Sequence, residues 1–253
     1  MEERGRLDRG DGIELAWIRQ SGRSPAVVFL PGFRSDMQGE KATHLARFCA
    51  ARGTACLRFD YSGHGTSGGD FADGSIGRWA EDALTVIDRE IEGDLVLVGS
   101  SMGGWIALLV AIRRPGRLTG LLGIAAAPDF TETLMWQAMT PAEQARLLAE
   151  GSLTVPGDDD PPLVITRLLV EEGRRHLLLG APIPIACPVR LLHGQQDQTV
   201  PWETALKTAE RLAATDVRLT LIKDGEHRLS RPQDLLLLSS TLADLLGESP
   251  GPG

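Results

Sequence analysis

No run of about eighteen consecutive apolar residues occurs in the 253-residue chain, so it holds no segment of the length a membrane-spanning helix needs, and a soluble chain is expected. The opening residues Met1-Glu2-Glu3-Arg4-Gly5-Arg6-Leu7-Asp8-Arg9 lack the apolar stretch of a secretory signal. They also lack the acid-poor, Ser-rich pattern of a transit peptide, which leaves the cytosol as the expected compartment. Cysteine is scarce. Cys49, Cys56 and Cys187 are odd in number and show no CxxC spacing, so neither a disulfide framework nor a zinc site is indicated, and all three read as reduced packing residues. Lysine is equally scarce, confined to Lys41, Lys207 and Lys223, and the arginines that make up the rest of the 26 basic residues form no dense stripe. With 34 acidic residues the net charge is −8, which repels phosphate backbones, so nucleic acid is not an expected partner. Internal repeats are also absent.

What remains, 42% hydrophobic and 24% charged, is the composition of one globular domain. Short apolar or β-branched runs alternate with helical periods, the pattern of an α/β fold. Residues 13–18 alternate like an early strand. Ala26-Val27-Val28-Phe29-Leu30 is continuously apolar up to Pro31-Gly32, as a strand buried on both faces requires. Further strands are expected at 54–59, 95–98, 118–124, 189–193 and 217–222. Helices are expected at 41–51, 102–113, just after Pro201, and from Pro232 onward, where Ser230 and Gln233 resemble a capping box. The alternation breaks over 130–181, which reads as helices separated by the turn-rich Pro156-Gly157-Asp158-Asp159-Asp160-Pro161-Pro162. The expected organisation is therefore a core of 1–129 and 182–253 with a helical cap, 130–181, inserted between two late strands. The Asp158–Asp160 run reads as a solvated loop rather than a cation site, and the chemistry proposed below needs neither metal nor cofactor.

Gly99-Ser100-Ser101-Met102-Gly103 matches G-x-S-x-G directly after an apolar strand and directly before a helix, the context of a nucleophile elbow. A serine hydroxyl is a weak nucleophile near neutral pH and needs a base within reach and an acid to orient that base. In the usual chain order the acid follows the serine and the histidine comes last. Asp197 and His227 lie in loops after predicted strands, so they and Ser101 converge at one rim of a parallel sheet. Asp129 competes with Asp197 for the acid's place, whereas Asp224 has little room to orient a ring on its own loop. Of the other histidines, His193 reads as packed in a strand, His64 as a turn residue near the cleft, and His44 and His176 as helix-surface residues. Two N–H groups must face the developing oxyanion; Met102 supplies one, and Phe33, in the Pro31-Gly32-Phe33-Arg34 turn, supplies the other. Phe130, Leu134, Met135, Trp136, Met139, Leu147 and Leu148 recur at helical spacing, and core packing accounts for most of them. Met135, Trp136 and Met139, with Trp105 past the elbow, are the candidates to line a tunnel for a linear or bulky acyl group, and Trp202 is a further one.

These residues resemble the α/β-hydrolase superfamily from about Val27 to the last helix. The closer resemblance is to the α/β-hydrolase domain branch of mitochondrial palmitoyl-protein thioesterases and acyl-glucuronide hydrolases. It is carried by Phe29-Leu30-Pro31-Gly32, Arg58-Phe59-Asp60-Tyr61-Ser62-Gly63, Val98-Gly99-Ser100-Ser101-Met102-Gly103-Gly104-Trp105, Cys187-Pro188-Val189-Arg190-Leu191-Leu192-His193-Gly194 and Val200-Pro201-Trp202. The resemblance implies a cofactor-free serine hydrolase of a small-molecule or lipidated acyl ester or thioester, with Ser101, Asp197 and His227 as nucleophile, acid and base. Carbon–carbon bond hydrolysis by the same residues, or a catalytically silent ligand receptor, are the alternatives it carries, and oligomeric state is left open. Mitochondrial residence is not expected, for want of a transit pattern.

Overall fold

The computed structural model describes residues 2–155 and 162–247. Its central sheet takes strands β1 (Glu2–Asp8), β2 (Glu14–Gln20), β3 (Arg23–Leu30), β4 (Thr54–Phe59), β5 (Leu95–Ser100) and β6 (Leu118–Ile124). Two short strands, β7 (Ser152–Val155) and β8 (Leu163–Thr166), pair antiparallel apart from it, and β9 (Val189–Gly194) and β10 (Val217–Ile222) complete it. The order across the sheet is β1-β2-β4-β3-β5-β6-β9-β10. Only β2 runs against the others, so every crossover from β4 onward delivers its loop to the same edge.

The continuous apolar runs divide between two faces as the pleat demands. Val28, Leu30, Leu95 and Leu97 pack against α2 (Ile76–Glu90) and α3 (Met102–Arg113) through Trp79, Ala83, Trp105 and Ile106. Val27, Phe29, Val96 and Val98 point the other way, onto Leu45 and Cys49 of α1 (Glu40–Arg52) and Leu238 and Leu242 of α7 (Pro232–Leu245). Helices α4 (Pro141–Glu150), α5 (Arg167–Gly173) and α6 (Glu203–Arg211) complete the set. No helix among the described residues is long and apolar enough to cross a membrane.

Four local expectations need correction. Strand β1 was not anticipated, because its exposed polar side chains carry no apolar period; its backbone ladder to β2 holds it. Helix α2 was missed although Ser75 caps it and Trp79, Ala80, Ala83, Val86 and Ile87 are buried along one stripe. The insertion between β6 and β9 is not purely helical: a π-helical turn over Thr131–Trp136 and α4 are separated by a capping box of Thr140 and Glu143 with Pro141 at the first helical position. Strands β7 and β8 follow, built from Thr154, Val155, Val164, Ile165 and Thr166, whose β-branched side chains favour a pleated surface. The Asp158–Asp160 run lies outside the described residues. Helix α7 is capped by Arg231 and Asp234, the Asp234 carboxylate accepting the Arg231 N–H at 3.1 Å, one residue past the expected pair.

The sheet and α3 approach most closely at Gly103, where a Cβ would stand 2.0 Å from the Leu30 carbonyl oxygen. Gly103→Ala is therefore expected to cost about 1–3 kcal/mol in urea unfolding. Gly116→Ala, which meets nothing within 4 Å, should stay within about 0.5 kcal/mol.

Candidate active site

Strand β5 ends at Ser100 and α3 begins at Met102, so Ser101 alone makes the reversal, at φ 53° and ψ −118°. Such a conformation costs a non-glycine residue about 1–3 kcal/mol and persists only where its surroundings fix it. Here the Ser101 N–H donates to the Ile124 carbonyl at 2.9 Å, and its own carbonyl accepts the Gly104 and Ala127 N–H groups at 2.9 and 3.1 Å. Gly99 clears the turn, since a Cβ there would lie 2.2 Å from the Gly103 carbonyl oxygen.

His227, in the loop after β10, brings its Nε2 to 3.1 Å from Ser101 Oγ and its Nδ1 to 2.7 Å from Asp197 Oδ2. A carboxylate only accepts, so Nδ1 carries the proton and the Nε2 lone pair faces the serine hydroxyl. The loop after β9 holds Asp197, whose side chain is fully buried; its Oδ1 accepts the Thr199 and Val200 N–H groups, each at 2.8 Å. His193 Nε2 stands 3.1 Å from the same Oδ2 that meets His227. Burial works to raise the Asp197 carboxyl, but the hydrogen bonds from His193, His227 and Val200 prevail and hold it well below the usual carboxylate range. The two loops are locked together by hydrogen bonds from Gln195 N–H to Ile222 and from Gln196 N–H to Gly225, 2.8 and 2.9 Å.

Asp129 makes no contact with this chain of groups. It is buried, and its two oxygens accept the Leu178 and Leu179 N–H groups at 2.7 and 2.9 Å, tying β6 to the far end of the insertion. Burial pushes its carboxyl up. Asp224 is paired with Arg231 at 2.8 Å. His44 meets Ser239, and His176 meets Glu172. Among the described residues no group of His, Cys, Asp or Glu is arranged to hold a metal ion.

Met102 N–H is the first of α3, and first-turn N–H groups have no partner inside their own helix. Phe33 lies in the turn after β3, closed by Ser35 N–H to the Gly32 carbonyl at 3.1 Å. Gly32 abuts the serine: a Cβ on it would be 3.4 Å from Ser101 Cβ. Arg34, which follows Phe33, also has positive φ, 58°. Asp60 braces this loop, accepting the Met37 N–H at 2.7 Å and the Thr66 N–H at 2.8 Å. The sequence alone assigns Asp60 no role of its own. An aspartate between a strand and a Ser-Gly turn is a signal for such bracing.

Ser101 lies at the junction of two cavities. One, of about 940 Å³, is lined mostly by polar and charged residues, among them Arg34, Asp36, Lys41, Gln198, Glu226 and Arg228. The other, of about 390 Å³, is apolar and runs under the insertion past Phe130, Met135, Met139, Leu153 and Ile165. Ser101, Phe33 and Thr199 line both. Met135 and Met139 thus face the apolar cavity, but Trp105 and Trp136 do not. Trp105 is fully buried against Phe130 and donates its indole N–H to the His176 carbonyl; Trp136 packs within the insertion under Arg174. Trp202 lines neither cavity.

Residues 27–237 match the alpha/beta hydrolase family. The chain belongs to that family. This hydrolase is 40% identical over 242 residues to the mouse palmitoyl-protein thioesterase ABHD10, mitochondrial, covering 95% of this chain and 81% of that one. The solved structure of mouse alpha/beta hydrolase domain-containing protein 10 superposes with a TM-score of 0.91 at 39% identity, over 97% of this chain and 98% of the other. A putative hydrolase from Agrobacterium vitis S4 gives 0.92 at 39% identity, over 97% and 99%. The family and these relatives make the chain an ester- or thioester-cleaving hydrolase, as the sequence led us to expect. The expected cytosolic residence is overturned: the mouse and human relatives are both named as mitochondrial.

The depressed Asp197 carboxyl has a sign that can be tested. A carboxyl held below its ordinary value of 3.8 contributes stability that is complete above that value and is lost as pH falls through the folded one. In urea unfolding, the advantage of the wild type over Asp197→Asn is expected to shrink from pH 5 to pH 3. An advantage that grew over that interval would contradict the ionised, hydrogen-bonded carboxylate.

Proposed function

We propose that this hydrolase is a serine-dependent acyl thioesterase and esterase in which Ser101 is the nucleophile, His227 the base and Asp197 the acid. The observation that carries the reading is the unbroken hydrogen-bonded chain from Ser101 Oγ through both ring nitrogens of His227 to the buried Asp197 carboxylate. Ser101 Oγ attacks the acyl carbonyl carbon as its proton passes to His227 Nε2, and the imidazolium is stabilised by Asp197. The negative oxygen of the tetrahedral intermediate takes the N–H groups of Phe33 and Met102. Collapse breaks the bond to the thiolate or alkoxide, which leaves with the proton held by His227. Water, deprotonated by His227, then attacks the acyl-serine, and the acid is released as His227 returns the proton to Ser101 Oγ.

The described residues of the insertion, 130–155 and 162–181, form a cap over the reacting serine, and the cavity beneath it receives the acyl chain. An apolar tunnel binds chains in proportion to the methylenes buried, each contributing about 0.8 kcal/mol, or roughly a fourfold gain in kcat/KM. The polar cleft on the other side of Ser101 takes the leaving group. Relatives named as palmitoyl-protein thioesterases support a long saturated chain and a protein-borne or smaller polar thiol.

Labelling by a fluorophosphonate probe should be stoichiometric and vanish in Ser101→Ala, with hydrolysis lost by four or more orders of magnitude. Asp197→Asn should cost about 10⁴ in kcat by stabilising the wrong histidine tautomer. A folded wild type that hydrolyses thioesters without being labelled would sink the assignment.

Acyl specificity gives a separate test. Activity on p-nitrophenyl esters should rise from acetate toward palmitate. Met139→Trp, which fills the apolar cavity, should lower kcat/KM for the palmitate by about tenfold or more while leaving the acetate little changed. Equal losses on both would place the acyl chain elsewhere.

A further inference from the structure

His64 is buried, lies outside the chain of groups that reaches Ser101, and yet touches the loop that carries Phe33. Its Nε2 accepts the Arg34 N–H at 3.3 Å and its Nδ1 stands 3.2 Å from the Ser62 carbonyl oxygen. A carbonyl cannot donate, so Nδ1 bears the proton and Nε2 is bare, the tautomer the Arg34 N–H needs. The ring is gripped edge-on by Tyr61, Phe71 and Trp79, with centroids at 5.5, 5.0 and 5.1 Å. Burial pulls its pKa down to about 4, so the acceptor nitrogen stays unprotonated near neutral pH.

The Arg34 N–H and the Phe33 carbonyl belong to one planar peptide unit, so holding the first fixes the plane on one side of the Phe33 Cα. The Phe33 side chain is fixed independently, edge-on to Phe71, Trp79 and Phe130 at 5.0, 5.8 and 5.7 Å. The Phe33 N–H itself lies in the preceding peptide, whose Gly32 carbonyl accepts the Ser35 N–H at 3.1 Å, so the N–H is aimed by constraints on both sides of the Phe33 Cα. They also hold Arg34 at its positive φ, a conformation that relaxes unless its surroundings oppose it.

We propose that His64 is a positioning residue of the oxyanion hole: by accepting the Arg34 N–H it holds the strained Phe33–Arg34 peptide so that the Phe33 N–H meets the oxyanion. The inference rests on the roles proposed above for Ser101 and Phe33. It differs from a packing role in what it touches. A misaimed donor weakens the tetrahedral state and leaves ground-state binding alone.

The test compares wild type, His64→Phe, His64→Asn, His64→Gln and Ser101→Ala on one acyl thioester. Two inhibitors with the same acyl chain are added: a trifluoromethyl ketone, which forms a tetrahedral adduct with the serine, and an unreactive thioether. His64→Phe fills the aromatic cluster without an acceptor; His64→Asn keeps the Ser62 contact but is too short to reach Arg34. Both are expected to lose about 10- to 100-fold in kcat and to bind the ketone weaker by the same factor, with KM and thioether affinity within about twofold. His64→Gln, whose Oε1 reaches the place of Nε2, should recover most of that loss. A folded His64→Phe or His64→Asn with wild-type kcat/KM, or one that weakens thioether and ketone equally, overturns the proposal; if the phenylalanine variant does not fold, the asparagine variant decides alone. Turnover that survives Ser101→Ala would instead sink the underlying reading of the site, whereas its loss beside an unimpaired His64→Phe refutes only the positioning role.

Discussion

The strand-to-helix turn at Ser101 is a backbone constraint before it is a chemical one. For α3 to begin one residue after β5 ends, the turn must pass within contact distance of β3, and only glycine at 99 and 103 leaves room. Its strain is balanced by hydrogen bonds to β6 and the residues just beyond it. Strain of the same kind recurs nearby. The non-glycine residues with positive φ among those described, Arg34, Ser101, Ala125, Asp129 and Leu229, follow β3, β5, β6 and β10, all in loops at the edge where parallel strands end. A rigid sheet buried on both faces supplies the reaction force that keeps them there.

Two aspartates at that edge show how environment assigns different roles to one side chain. Asp129 and Asp197 are both buried, and each accepts two backbone N–H groups. Asp197 also faces two imidazoles, and its carboxyl is held down; Asp129 faces none, and burial pushes it up. The first suits an anion that must stabilise a positive neighbour. The second suits a clasp between the sheet and the insertion, where only acceptor geometry matters.

The strands were legible wherever burial on both faces forces a continuous apolar run, as at Ala26–Leu30 and Leu95–Val98. Ser101, Asp197 and His227 were legible because a serine turn between strand and helix, and loops at the ends of parallel strands, leave few places for groups that must meet. What was not legible lacked a local signal. Strand β1 is a polar ribbon held by its ladder, and β7 and β8 are too short to declare a period. Trp105 illustrates the opposite error. It lies four residues past Ser101 in sequence, but one helical turn carries its indole away from the cleft and into the core beside Phe130. The pairing of His64 with the Phe33 loop joins segments thirty residues apart and has no sequence signature.

The meeting of an apolar cavity and a polar cleft at one serine makes the site a phase boundary. An amphiphile that crosses it comes to rest where its greasy and hydrated halves change over, and in an acyl ester or thioester that point is the carbonyl. Register along the chain is then set by partition rather than by a ruler of specific contacts. With the acyl chain placed as proposed, such a site would sort its ligands by where their polarity changes, and would accept different polar partners attached to one kind of tail.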